Sequence, residues 1–78
     1  MAKYADLGDM EEDRRIALIG HRAVDHRESV AFVVEDFTKA DRYMKKLKDK
    51  FPLIEEVERG KGPTKNTVYV KVRRRADA

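Results

Sequence analysis

The segment that most restricts the fold is Val30-Ala31-Phe32-Val33-Val34, five consecutive apolar residues between Ser29 and Glu35. It is too short for a buried helix and rich in β-branched side chains, which suit a pleated strand. Both alternating faces are apolar, so the strand requires cover on both sides or a central place in a sheet. With 78 residues there is room for one domain, and the rest of the chain has to enclose this segment. A domain of this size buries roughly 60–65% of its unfolded surface, which predicts a small core and modest stability.

The flanking patterns supply that enclosure. Over residues 38–51, Ala40, Met44, Leu47 and Phe51 form a helical stripe with Tyr43 beside it. Thr38 with Asp41 is a relative of the capping box, Asp41–Lys45 and Lys45–Asp49 are helical pairs, and Pro52 stops the helix. Residues 53–59 read as a strand and residues 60–65 as a loop. Residues 66–73 form a second strand, with Val68, Val70 and Val72 on one face and Thr67, Tyr69, Lys71 and Arg73 on the other. Upstream, Asp9 and Glu12 have capping-box spacing, and Met10, Ile16, Ala17, Ile19, Ala23 and Val24 share one side of a wheel. This predicts an amphipathic helix over residues 9–26, weakened at Gly20 by about 1 kcal/mol relative to Ala. A strand over residues 15–24 is the rival reading.

The expected fold is therefore α/β (α+β), a small two-layer sandwich in the order α-β-α-β-β with a C-terminal β-hairpin. The rival first element would make it β-β-α-β-β. The strand–helix–strand step predicts a right-handed parallel crossover, with both helices on one face of a mixed sheet. Residues 1–8 read as a disordered N-terminus, residues 9–73 as the single compact domain, and residues 74–78 as a basic tail. In order of elements this resembles compact nucleic-acid-binding α/β domains such as the Alba chromatin proteins and the C-terminal domain of translation initiation factor three. Those begin with an extra strand not read here, no family sequence motif is matched, and shared architecture is analogy.

Charge directs the functional reading. Residues 1–36 hold five Lys/Arg against nine Asp/Glu, and residues 37–78 hold thirteen against six, so a net +3 divides into −4 and +7. A basic half of this kind suits a polyanionic partner, nucleic acid first among them. Without Cys, a disulfide, a thiolate zinc site and a thiol nucleophile are excluded. No apolar run is long enough for a signal peptide or a membrane span, so the expectation is a soluble, cytoplasmic protein with no membrane partner. Charged residues at 42%, one Asn and no Gln match the composition of hyperthermophile proteins.

The candidate nucleic-acid surface is the C-terminal hairpin and tail: Lys61, Lys65, Tyr69, Lys71, Arg73, Arg74 and Arg75. Lysine and arginine bind phosphates without reading sequence, and Tyr69 can stack on a base if its face is open. The competing reading pairs Glu55, Glu56 or Glu58 with Lys71 and Arg73 across the strands. A basic helix face, Arg42, Lys45 and Lys46 with Lys48 and Lys50, gives support against a background of ordinary solvated lysines. The segment Gly60-Lys61-Gly62-Pro63-Thr64-Lys65 lacks the glycine spacing of a phosphate loop and precedes a strand, so nucleoside triphosphate binding is not expected. His21 and Asp25, one helical turn apart near His26 and Glu28, are two ligands short of a metal site and read as a surface pair. No cofactor, metal or catalytic role is expected.

The function predicted is sequence-nonspecific nucleic-acid binding through phosphate contacts, by a homodimer. The alternative is a protein–protein adaptor or homo-oligomeric protein that uses the same charged surface on an acidic partner. Extensive pairing of Glu55, Glu56 and Glu58 favours the adaptor, whereas an unpaired cationic strip favours nucleic acid.

Overall fold

The computed structural model describes residues 4–76, and the first three and last two residues of the expected end segments lie outside them. The order of elements is α1 (Glu12–Val24), β1 (Val30–Val34), α2 (Phe37–Lys50), β2 (Ile54–Lys61) and β3 (Val68–Arg74). This is the expected α-β-α-β-β sandwich, and the rival strand over residues 15–24 is excluded. Sheet order is β1-β3-β2, with both outer strands antiparallel to β3. The sheet is thus antiparallel throughout rather than mixed. β1 and β2 run the same way, as the crossover through α2 requires, but β3 is inserted between them.

That insertion changes the place of the apolar strand. β1 has one strand neighbour and β3 takes the centre, because Val68, Val70 and Val72 match Val34, Phe32 and Val30 in register. Of the two expectations, cover on both sides or a central place, the second is not met and the first is met on one face only. Val30, Phe32 and Val34 are buried, while Ala31 and Val33 are half-buried on the opposite face. The other edge of β1 is met by the N-terminal segment, where the Ala5 N–H donates to the Ala31 carbonyl at 2.7 Å. Leu7 then turns into the core, at 8% exposure. Residues 4–8, read from the sequence as part of a disordered start, therefore have packing partners. They lie beside β1 without forming a strand of their own.

Both helices pack on the face formed by Val30, Phe32, Val34, Ile54, Val68, Val70 and Val72. α1 buries Ile16, Ile19, Gly20 and Ala23, and α2 buries Ala40, Tyr43, Met44 and Leu47. The Phe32 and Tyr43 rings stack at 5.6 Å in the middle of this layer. The helix starts differ from the expected caps. α1 begins at Glu12, with Glu11 as an N-cap that makes no side-chain bond, so Asp9 and Glu12 do not form a capping box. α2 is capped by Asp36, whose carboxylate accepts from the Lys39 N–H at 2.8 Å, two residues before the expected Thr38. In both cases an acidic residue expected at a cap is used elsewhere: Glu12 holds Arg42 and Lys46, and Asp41 holds Arg59.

Gly20 has a purpose the sequence does not reveal. A Cβ there would overlap the ring of Phe51, which closes the end of α2 against α1. The glycine weakens the helix and admits the ring. No helix among the described residues is long and apolar enough to cross a membrane.

Candidate nucleic-acid interface

Alternation along β3 sets the candidate face. Since Val68, Val70 and Val72 turn to the helices, Tyr69, Lys71 and Arg73 turn to the opposite face, which carries no helix. Ala31 and Val33 of β1 lie alongside, as register partners of Lys71 and Tyr69. From β2, Glu55 pairs with Arg73, Glu58 with Lys71 and Gly60 with Tyr69. The Tyr69 ring lies over Gly60, where an added Cβ would come within 2.9 Å of Cε1. Tyr4 joins from the N-terminal segment, its ring centroid 6.1 Å from that of Tyr69 at 59°. The result is an uncovered sheet face with two adjacent tyrosines and two cations.

A bulge decides which glutamates share this face. Glu56 opposes Val72 and Glu58 opposes Lys71, so Val57 is the extra residue in β2, and its side chain is 42% exposed. The extra residue restores alternation in step with β3 and brings Glu58 out beside Tyr69. The Tyr69 hydroxyl donates to Glu58, which raises the tyrosine pKa, since ionisation would set two negative charges together. Arg73 Nε donates to Glu55 at 2.7 Å. Glu56 turns to the helix side and takes Arg59 at 2.7 Å, while Arg59 also reaches Asp41 at 2.7 Å. All three glutamates are engaged, yet Lys71 makes no ion pair among the described residues although Glu58 is its register partner.

The remaining candidates divide. Lys61 is the last residue of β2 rather than part of the loop, which spans residues 62–67 and is closed by the Gly62 N–H donating to the Thr67 carbonyl at 2.8 Å. Lys61 and Lys65 are exposed and make no ion pair among the described residues. Arg74 turns away from the open face and donates to the Val24 carbonyl at 3.3 Å, at the C-terminal end of α1 where a cation is favoured. Arg75 donates its backbone N–H to the Leu53 carbonyl at 2.7 Å. On α2, Arg42 and Lys46 are both hydrogen-bonded to Glu12, and Lys46 is also 3.6 Å from Asp13. Lys45 has no ion pair among the described residues, so neither of its expected helical pairs forms. Spacing alone could not reveal that the acidic start of α1 faces the basic side of α2.

His21 Nδ1 lies 2.5 Å from Asp25, the expected surface pair, and the His21 ring meets Phe51 edge-on at 5.6 Å. No group of three or more His, Cys, Asp or Glu among the described residues is placed to hold a metal. Comparison with protein-family models, curated proteins and solved structures finds no match. The functional reading therefore rests on geometry and charge.

Proposed function

We propose that the protein binds nucleic acid through the open face of its sheet, with Tyr69 and Tyr4 offering stacking surface and Lys71 neutralising phosphate there, while Lys61 and Lys65 add charge from the hairpin end beyond that face. The observation that carries this is the uncovered face itself, on which an unpaired lysine stands in the same strand as an aromatic ring. Arg73 contributes if the phosphate displaces Glu55 from its exposed pair, a small cost because exposed ion pairs contribute at most about 1 kcal/mol. Base-edge reading has little to work with, so contact is with backbone and ring faces.

Fluorescence anisotropy with labelled single- and double-stranded DNA and RNA tests this. Three to four phosphate contacts predict a log–log salt slope of roughly −2 to −4 and affinity in the micromolar range at low salt. Lys71→Glu is expected to weaken binding at least tenfold and flatten the slope. An absence of binding to every probe at low salt overturns the reading.

One observation favours a second reading, a protein–protein contact by the same face. Glu55 and Glu58 interleave with Arg73 and Lys71, so the face carries both signs and suits a two-fold contact with another copy of itself. Sedimentation equilibrium over a concentration series would then give a dimer that weakens with salt and with Lys71→Glu. A monomer at every concentration removes it.

A further inference from the structure

Away from the open face, the hairpin loop and the start of α2 enclose a cleft of about 700 Å³, a volume in the range of small-molecule sites. Phe37, Lys61, Lys65, Asn66 and Thr67 line it. Phe37 is 57% exposed and is the only aromatic residue in the exposed class among the described residues. As the first residue of α2 it contributes nothing to the core, which takes Ala40, Tyr43, Met44 and Leu47 from that helix.

The charges around the cleft are unevenly answered. Of its two acidic residues, Glu35 pairs with Lys39, and Asp36 accepts from the Lys39 N–H. The hydrogen bond to Glu35 raises the pKa of Lys39. Lys61 and Lys65, by contrast, have no carboxylate partner among the described residues. What is left over is a free aromatic ring beside two free cations. Asn66, the only carboxamide side chain in the sequence, is held at φ 63 on the loop and supplies both a donor and an acceptor.

A planar ring with an anionic arm is the ligand such a set complements. We infer that the cleft takes one unpaired nucleotide, its base against Phe37 and its phosphate between Lys61 and Lys65, and that the protein therefore prefers single strands. A base inside a duplex is stacked on both faces and cannot enter. This rests on the nucleic-acid reading above and adds to it a site and a strand preference.

The test combines two measurements on the full chain. In an amide NMR titration, adenosine monophosphate is expected to shift Phe37, Lys61 and residues 64–67, and ribose 5-phosphate to bind several-fold more weakly. In anisotropy, Phe37→Ala is expected to lower affinity for a single-stranded oligonucleotide roughly tenfold and leave the matching duplex unchanged. The exposed position of Phe37 allows this variant to fold, which the same spectra verify. Single-strand binding that survives Phe37→Ala, or equal shifts by the two phosphates, overturns the cleft and leaves the open-face reading standing. Failure of the wild-type protein to bind any oligonucleotide overturns both.

Discussion

At Gly20 the absent side chain matters, because the Phe51 ring occupies the space a methyl group would need. Helix propensity favours alanine there by about 1 kcal/mol, but overpacking costs about 1–3 kcal/mol. Gly20→Ala is therefore expected to lower stability by up to about 2 kcal/mol in urea unfolding. Gly20→Ala combined with Phe51→Leu should recover part of the loss. Glu12 carries the opposite kind of information. Hydrogen bonds from Arg42, and then from Lys46, hold its carboxyl down at about 2, against an ordinary value of 4.5. A lowered folded-state pKa stabilises the fold fully above pH 4.5, and that stabilisation drains away as the pH falls toward 2. Solvent screening limits it to about 1 kcal/mol. Glu12→Gln should cost that much at pH 7, and the gap between variant and wild type should close between pH 4.5 and 2 in denaturation followed by circular dichroism.

At the scale of elements, the short segment before α1 does more than its composition suggests. Leu7→Ala is expected to cost about 2 kcal/mol in chemical unfolding, the low end for a buried leucine, because the site lies at the rim of the core. The sequence foretold α2 well, since four apolar residues at helical spacing leave one face to bury. It foretold the open face equally well, because period-two alternation along β3 places Tyr69, Lys71 and Arg73 together whatever their neighbours. Partnership was not legible. Whether Glu58 meets Lys71 or the core depends on a bulge at Val57, and whether Arg42 and Lys46 are free depends on the packing of α1. Both are long-range facts that local spacing does not encode. The edge position of β1 belongs to the same class: its apolar faces announced burial, but strand order follows from which strands find each other.

Over the whole molecule, the opposed charges of the two halves are spent partly inside the fold. The acidic first turn of α1 holds Arg42 and Lys46 of α2, and the cations that remain outward include Lys45, Lys48 and Lys50 of α2 as well as a local set at the hairpin. Net charge is thus a poor guide to this protein's partners, and the salt slope should report three or four contacts rather than the thirteen cations of the basic half. The sheet order has a consequence in time. β3 is the last element in chain order, yet it alone joins β1 to β2, pairing residues 30–34 with residues 68–72. During synthesis, the edge of β1 that β3 will pair waits without its strand until the chain has emerged almost to residue 72. A chain ending at residue 61 should therefore show no β signal in circular dichroism and should precipitate readily. For this protein, the sheet can close only once its last strand has been made.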